Sequence, residues 1–400
     1  MQQMTWEEFC QKLSVWREIK GDELNPIIVT PPTGIPRTCC LTQIHWTDSV
    51  KIEHVIFEGS VDFSGMFFDS SLQVENCKFP FGLKLANTRV AGILSLRGCE
   101  FCNVPQPNTP WLDWRGLEVE KIFTCAFITS QVGICLANSK FGDDIRFDAS
   151  CISSFLIDEK IASRFADSFE HPEEKKLTKF LTGFAVHLEG ATIQASLYFD
   201  SVPGRQTTIR GVLDLRARIA GAIMFCGTKI SMRGYSAGFP AICCNRADIG
   251  GSVFFTPGES DSLSKYRFEC EGQIDLRARI GGQISFQGSY VSVKDIEEAD
   301  GIAIDCDGAD IGSSVFFRPG EKDNNSKYRF ECEGQIDLRA KIADQVSFYG
   351  TRVSIENIQD ANDIAILCNG ADILGSVFFG QEPMKGLSAL ETLNVLQCDV

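Results

Sequence analysis

The sequence predicts an all-β fold, a parallel β-helix in which short strands wind into a solenoid. Two observations predict it. Between Val55 and Phe101, apolar residues recur every 11 positions in two interleaved columns, at alternating spacings of 6 and 5. Further along, residues 264–278 are repeated letter for letter at 326–340. Fixed periods of this kind indicate structural units that stack and bury their apolar residues against their neighbours.

The two columns predict which residues point inward. One column holds Phe57, Phe68, Phe79, Val90 and Phe101, and the other holds Phe63, Val74, Leu85 and Leu96. A helix would place apolar residues at i+3, i+4 and i+7, whereas strands that turn a corner every five or six residues give the observed spacing. The residue two before each member is large in one column and often small in the other. Because residues i and i−2 of a strand share a face, we expect both to fill a narrow interior shaft.

The same cadence returns later, in segments such as "AIDCDGADIGSSVFF" and "GQIDLRARIGGQISF". These features resemble the pentapeptide-repeat-like β-helix proteins of bacteria over most of residues 55–379, with five or six residues per face. The resemblance implies a right-handed, four-sided β-helix. Each 62-residue repeat then supplies eight faces, or two coils, with Leu338 and Phe348 among the inward positions. The segments are also similar to long repeat proteins often labelled membrane-associated oxidoreductases, a label that no residue pattern here supports.

The ends and one interruption of the cadence predict helices. Thr5 and Glu8 form a capping-box pattern, which predicts a helix over residues 5–19 that ends near Gly21. The predicted organisation is an N-terminal helix and cap at 1–50, the β-helix at 51–380 with a helical insertion at about 153–184, and a helical tail at 381–400. The tail is expected either to cap the far end or to join a second copy as a homo-oligomer.

Composition narrows the function classes. The net charge of −15 argues against direct nucleic-acid binding, since phosphate-backbone binders present a basic face, but leaves mimicry of a polyanion open. The absence of a long apolar run and of a signal peptide predicts a cytoplasmic protein without a transmembrane segment. The 17 cysteines, an odd number scattered among apolar residues, favour reduced, buried thiols over disulfides.

Residues that could carry chemistry form weak patterns. The four histidines share no motif, and Cys99 and Cys102 make a lone CxxC in which Cys99 occupies an inward position. Gly250 and Gly281 superficially resemble phosphate-loop glycines, but no lysine and helix follow them. We interpret them as corner glycines that supply left-handed backbone. The sequence therefore predicts no catalytic residue, no metal site and no cofactor.

The motif "DLRARI" is the most specific outward feature. It places Asp214 and Arg216, Asp275 and Arg277, and Asp337 and Arg339 at equivalent positions two coils apart. Stacked coils would align them about 10 Å apart on one wall. The wall is either a solvated surface on which each arginine pairs with its aspartate, or a binding site for an anionic partner. Arg216, Arg277 and Arg339 are the candidate binding residues.

Two functions fit these features. The first is a non-enzymatic β-helix scaffold that mediates protein–protein interaction with an unidentified protein partner, with acidic surface mimicry as one mode. The second is an enzyme or binder that acts on a polysaccharide through wall or loop carboxylates, since glycoside hydrolysis requires two carboxyl groups about 5 to 10 Å apart.

Overall fold

The computed structural model describes residues 2–31, 38–40, 45–102, 111–154, 183–232, 239–258, 266–294, 301–320, 329–355 and 364–380. These residues are nearly all β, with one helix among them, and the chain divides into two compact units, Met1–Ala195 and Ser196–Val400. Parallel sheets build each unit, as expected of a β-solenoid. Residues 155–182, most of the predicted insertion, and 381–400, the predicted tail, lie outside the described residues.

Unit 1, Met1–Ala195, contains one helix and 25 strands within the described residues. They are β1 (Gln2–Thr5), α1 (Trp6–Trp16), β2 (Glu18–Lys20), β3 (Ile27–Thr30), β4 (Thr38–Cys40), β5 (His45–Trp46), β6 (Val50–Glu53), β7 (Val55–Phe57), β8 (Ser60–Asp62), β9 (Phe67–Phe68), β10 (Leu72–Glu75), β11 (Lys78–Phe79), β12 (Leu83–Lys84), β13 (Arg89–Val90), β14 (Leu94–Ser95), β15 (Glu100–Phe101), β16 (Trp111–Asp113), β17 (Glu118–Val119), β18 (Phe123–Thr124), β19 (Thr129–Ser130), β20 (Gly133–Cys135), β21 (Lys140–Phe141), β22 (Ile145–Arg146), β23 (Cys151–Ser153), β24 (Phe184–His187) and β25 (Thr192–Ile193).

Strands of unit 1 pair in parallel with the strand four places further along the chain, as in β3–β7–β11–β15–β19–β23. The pairing is in register, so Leu72 of β10 lies beside Leu94 of β14. The nine residues of the two predicted columns are all buried, which confirms their inward orientation. Phe57, Phe79 and Phe101 stack with ring centroids 5.0 and 5.4 Å apart, so one aromatic column runs through the core.

Helix α1 has the predicted capping box, in which Thr5 and Glu8 each accept a backbone N–H from the other residue. The helix ends at Trp16 rather than near Gly21, because Arg17 takes a left-handed backbone conformation and Glu18–Lys20 joins a sheet beside β6. Sheet pairing therefore begins before residue 51. The buried Phe9 meets the ring of Phe57 edge-on at 5.4 Å, so α1 covers this end of the aromatic column.

Unit 2, Ser196–Val400, contains a further 25 strands within the described residues. They are β26 (Leu197–Tyr198), β27 (Thr208–Arg210), β28 (Val212–Asp214), β29 (Arg218–Ile219), β30 (Ile223–Met224), β31 (Lys229–Ser231), β32 (Ile242–Cys243), β33 (Asp248–Ile249), β34 (Val253–Phe254), β35 (Glu269–Glu271), β36 (Ile274–Asp275), β37 (Arg279–Ile280), β38 (Ile284–Ser285), β39 (Tyr290–Ser292), β40 (Ile302–Asp305), β41 (Asp310–Ile311), β42 (Val315–Phe316), β43 (Glu331–Glu333), β44 (Gln335–Asp337), β45 (Lys341–Ile342), β46 (Val346–Tyr349), β47 (Arg352–Ser354), β48 (Ile366–Leu367), β49 (Asp372–Ile373) and β50 (Val377–Gly380).

Unit 2 repeats the pairing step of four in four sheets, for example β28–β32–β36–β40–β44–β48. A continuous stack of seven phenylalanine rings, six of them buried and the last one exposed, runs along unit 2, with one ring on or directly after each of β26, β30, β34, β38, β42, β46 and β50. The rings belong to Phe199, Phe225, Phe255, Phe286, Phe317, Phe348 and Phe379. Because each ring packs on the ring of the next coil, the repeated sequence is explained by the packing of identical walls.

The glycine interpretation needs a correction. Gly250 and Gly281 lack the left-handed backbone that was predicted for them. They are required instead by close approach of the coils, since a Cβ on Gly281 would overlap the carbonyl oxygen of Gly250, and one on Gly250 would lie 2.5 Å from that of Ala220. The prediction of a corner position was right, and the physical reason given for glycine there was wrong.

Candidate functional site

The three predicted arginines each bind the aspartate two residues earlier. Arg277 donates Nε and Nη2 to the carboxylate of Asp275 at 2.9 and 2.6 Å, and the backbone N–H of Arg277 donates to the same carboxylate at 3.0 Å. The pairs Asp214–Arg216 and Asp337–Arg339 have the same arrangement. We call these three pairs the Asp-Arg ladder. Each pair clamps a turn, because one carboxylate binds both the backbone and the side chain of a residue two positions on.

The aspartates of the Asp-Arg ladder are buried, contrary to the prediction that they lie on a solvated wall. Asp214, Asp275 and Asp337 are at most 1% exposed. Strand alternation does place them away from the core, but the guanidinium and the backbone of the following turn cover their carboxylates. The hydrogen bonds that Arg277 donates to the Asp275 carboxylate raise the pKa of the guanidinium above its ordinary range. The ladder is therefore primarily a structural clamp, since a buried carboxylate without its cation is strongly destabilising.

The outer parts of the arginines remain accessible. The side chains of Arg277 and Arg339 are 42% and 39% exposed. Within the described residues, their Nη1 atoms make no hydrogen bond, whereas Nε and Nη2 are occupied by aspartates. The two N–H groups of each Nη1 can thus donate to a partner, whereas the edge of the guanidinium that carries Nε is already engaged by aspartate.

Sequence reasoning missed related acidic residues. Parallel pairing aligns Asp305 of β40 between Asp275 of β36 and Asp337 of β44. Arg277 Nε lies 3.3 Å from the Asp305 carboxylate, and Arg339 Nη2 lies 3.1 Å from that of Asp307. The signal was present in "DCDG", which stands where the preceding repeat has "CCNR".

Among the described residues of unit 1 the same clamp occurs once, and it was not predicted. Asp113 accepts from Arg115 Nε at 2.8 Å and Nη2 at 2.9 Å. The motif there is "DWR" rather than "DLR", so the shared feature is aspartate and arginine two residues apart. Its recurrence in a second unit supports a structural role for the clamp.

A second wall of unit 2, the charged face, alternates in sign. Its outward residues lie on β29, β33, β37, β41, β45 and β49, one on each strand. They are Arg218, Asp248, Arg279, Asp310, Lys341 and Asp372. Each charge lies beside an opposite charge on the next strand, as in the contact of 3.8 Å between Arg279 and Asp248. Exposed pairs of this kind contribute little to stability, but they leave no continuous acidic stripe on this wall.

A third wall of unit 2, the aromatic face, carries apolar residues outward. In register order its outward residues are Tyr198, Met224, Phe254, Ser285, Phe316, Ser347 and Phe378. Phe378 is 50% exposed, and Phe254 and Phe316 are half-buried. The Arg318 guanidinium lies 4.1 Å from the Phe316 ring centroid. Sequence reasoning missed this face, although the repeated "VFF" already implied one phenylalanine inward and its neighbour outward.

Two wall carboxylates of the kind that the polysaccharide hypothesis requires, Glu331 and Glu333, are held in a hydrogen-bonded network. Glu333 accepts from the hydroxyls of Tyr290 and Ser292 at 2.8 and 2.9 Å. Glu331 pairs with Arg267 at 3.0 Å, and the Arg267 guanidinium also lies over the Tyr290 ring. Burial opposes ionisation of Glu333, but the two hydroxyl donors outweigh it and lower its pKa. A lowered pKa means that the ionised form of Glu333 is stabilised. This does not suit a general acid, which needs a raised pKa.

Most described thiols are core residues. Cys99 of the CxxC is fully buried and donates to the carbonyl of Val74 at 3.3 Å, as predicted for a core thiol, and burial raises its pKa. The described cysteines are all free, which agrees with the expectation of reduced thiols. Burial raises the pKa of Cys243 to about 11, so this partly exposed thiol is a poor nucleophile.

Comparison with known proteins leaves the function to be argued from the geometry. Family models, curated proteins and solved structures were compared with the chain, and none matches it. In the part of the chain that the structure describes, no helix has the length and apolar character needed to cross a membrane.

Proposed function

We propose that the chain is a non-enzymatic β-helix scaffold that binds another protein, and that the aromatic face of unit 2 is the main binding surface. The observation that carries the proposal is the outward orientation of Phe254, Phe316 and Phe378 on strands whose inward faces already fill the core. Large apolar side chains that recur on an outward wall, here on alternate coils, are typical of interaction surfaces.

The composition of the aromatic face supports a protein partner. Aromatic residues and arginine are enriched where proteins bind each other, and charged residues are depleted at the centre of such interfaces. The row of outward residues is uncharged, and Arg318 flanks it on Phe316. The charged face, by contrast, neutralises itself within the chain.

The Asp-Arg ladder enters the proposal as a second, weaker contact. Arg216, Arg277 and Arg339 would donate hydrogen bonds from the exposed parts of their guanidinium groups to carbonyl or carboxylate oxygens of the partner. Support comes from the exposure of the three side chains, at 28%, 42% and 39%. Because each guanidinium is already paired, its contribution would be to orientation more than to affinity.

Acidic surface mimicry is proposed only for segments between strands. Four acidic residues, Asp295, Glu297, Glu298 and Asp300, lie in one segment, and Glu356, Asp360 and Asp363 lie in another. Both segments fall outside the described residues. The alternating charge of the described wall favours direct apolar contact over mimicry as the main mode.

We also propose the finer features of the fold. Pairing with every fourth strand in each unit supports a four-sided coil, and the strong preference of parallel crossover connections for one hand supports a right-handed one. The strands Cys151–Ser153 and Phe184–His187 belong to the sheets and flank the segment for which a helical insertion is proposed. Free, mostly buried thiols support a reducing, cytoplasmic location.

Self-association through residues 381–400 is the remaining proposal. Its support is the exposure of Val377 and Phe379 on β50, the last described strand. If this tail holds copies together, a chain shortened to end after Gly380 should sediment as a single chain, whereas the full chain sediments as an oligomer. The same oligomeric state for both chains would exclude the proposal.

The binding proposal is tested by copying serine from one coil into the next. Phe254→Ser together with Phe316→Ser repeats the residue that Ser285 and Ser347 place at the same outward position. Used as bait in an extract of the source organism, this variant should lose partners that the unchanged chain retains. Arg279→Ser on the charged face is the matched control and should retain them. Equal retention by all three baits, with unchanged melting, would exclude the aromatic face.

A further inference from the structure

Strand β40 carries a charged residue, Asp305, at a position where the neighbouring 62-residue repeats have uncharged residues. Asp305 occupies the position held by Cys243 in the preceding repeat and Leu367 in the following one, each 62 residues away. Two residues further on, Asp307 likewise replaces an asparagine. Since Cys and Leu satisfy the same coil, the coil itself does not require a carboxylate at this position.

The surroundings of Asp305 are crowded with acids. The residue is 6% exposed and lies in register between Asp275 and Asp337. Its carboxylate accepts the backbone N–H of Asp307 at 2.9 Å and shares Arg277, at 3.3 Å, with Asp275.

The charges around Asp305 do not balance. Asp275 and Arg277 face it from the β36 side, Asp337 faces it from β44, and Asp307 lies on its own turn, bound by Arg339. Within the described part of the chain, four carboxylates therefore share two guanidinium groups. The Cys306 thiol follows on the inner side, where burial keeps it protonated by raising its pKa.

The same strand is irregular. The pairing of β40 with β44 shifts register between Ile302 and Ile304, so one residue of β40 is left over within the ladder. A bulge of this kind disrupts local hydrogen bonding. The bulge lies directly before Asp305, so this carboxylate is next to a point where strand pairing is already disrupted.

We propose that Asp305 is a proton-sensitive latch on the wall of unit 2. With Asp305 ionised, repulsion from Asp275 and Asp337 loosens the pairing of β40 with its two neighbours. With Asp305 neutral, its hydroxyl can donate to one of the adjacent carboxylates, and the pairing tightens. Protonation thereby controls how firmly this coil is closed, independently of any partner on the aromatic face.

The direction of the pH effect follows from burial. Desolvation raises the pKa of Asp305 from its ordinary value of 3.8, and the charges of Asp275 and Asp337 raise it further, against the lowering effects of the Asp307 N–H and Arg277. A raised pKa in the folded state means that folding favours the protonated form. The contribution of protonated Asp305 to stability is thus complete at pH values below its pKa in the unfolded chain. It is lost as the pH rises through its pKa in the folded chain.

The test compares the full chain with Asp305→Asn, which mimics the neutral carboxyl. At about pH 7.5 the variant should melt about 1 to 3 °C higher, and the difference should shrink towards zero as the pH falls to about 4. Hydrogen exchange at Ile302–Asp305 should be at least about threefold slower in the variant at the higher pH, since the opening of β40 becomes less favourable. Asp307→Asn, which removes a more exposed charge, should produce a smaller change at both readouts.

Other outcomes would overturn the latch. They are an equal or lower melting temperature of Asp305→Asn at all pH values, or a difference that does not depend on pH. Asp305→Cys copies Cys243 of the preceding repeat and serves as a second variant. If neither variant folds, the carboxylate is a structural requirement of the coil, and the proposal is wrong.

Discussion

Asp275 and Arg277 form a bidentate pair two residues apart, in which the carboxylate is buried and the guanidinium closes over it. Arg279, two residues further on, lies on the charged face with 73% of its side chain exposed. The two arginines are two positions apart in the motif but differ in their contacts. Arg277 binds a buried carboxylate, whereas Arg279 lies exposed beside Asp248. That contrast provides matched variants for separating a clamp from a solvated wall.

Removing the Arg277 guanidinium should destabilise the chain. Arg277→Gln leaves the Asp275 carboxylate buried without its cation, at an expected cost of about 2 to 4 kcal/mol. Arg279→Gln removes the same charge and should change stability by less than about 0.5 kcal/mol. Urea denaturation of both variants measures the difference. Equal stability of the two would contradict the clamp.

The same geometry affects how the ladder can be tested for binding. Changing Arg216, Arg277 and Arg339 together to glutamate is expected to unfold the chain, because each new carboxylate would face a buried aspartate. Single Arg→Lys variants keep the charge and lose the two-point geometry, so partner affinity and melting should be measured on those.

The core is sensitive to charge at the predicted inward positions. Leu338 is fully buried, so Leu338→Asp should cost more than about 4 kcal/mol or abolish folding, since the shaft offers no partner for a carboxylate. Ala343→Asp, at an exposed corner, introduces the same group as a control. Circular dichroism melting distinguishes them. A Leu338→Asp chain that melts normally would show that the residue does not face the core.

Corner glycines should differ according to why glycine is needed. Gly281→Ala forces a Cβ against the carbonyl of Gly250, a backbone atom that cannot move aside. Gly65→Ala meets open space and is limited only by its left-handed backbone, at an expected cost of about 1 kcal/mol. Thermal unfolding should therefore rank Gly281→Ala well below Gly65→Ala. The reverse order would mean that coil spacing is not what requires glycine.

Thiol reactivity should follow burial. Near pH 8 in the folded chain, Cys40, which is exposed, should react with a thiol reagent, and buried Cys99 and Cys270 should react only after unfolding. Cys243 should react slowly and accelerate as the pH approaches its pKa of about 11. Peptide mass spectrometry after timed labelling assigns each rate. Fast labelling of Cys99 in the folded state would contradict its place in the core.

Much of the fold was predictable because it depends on inward positions. The dominant constraint on a parallel stack is that each strand buries one residue. The regular spacing of Phe57, Phe79 and Phe101, whose rings stack in the core, makes this constraint visible in the sequence. The N-terminal helix was predictable from its capping box. Its end was not, because Arg17 takes the left-handed conformation that sequence patterns assign to glycine.

The candidate site was less predictable because it depends on neighbours across strands. The pattern "DLR" indicated two outward residues, and alternation alone could not reveal that the arginine would cover the aspartate. Asp305 becomes unusual only when register places it beside Asp275 and Asp337. The motif "VFF" also contains the aromatic face, as in Val315, Phe316 and Phe317. The two inward residues already accounted for the motif, so the outward phenylalanine was overlooked.

The central claim is that partners bind the aromatic face, and site-specific photo-cross-linking tests it most directly. A photoreactive phenylalanine analogue replaces Phe254 or Phe316 in turn, and replaces Arg279 on the charged face as the control. The account predicts a cross-linked partner of one defined mass from positions 254 and 316, and none from position 279. Cross-linking from position 279 alone, or equally from all three positions, would contradict it.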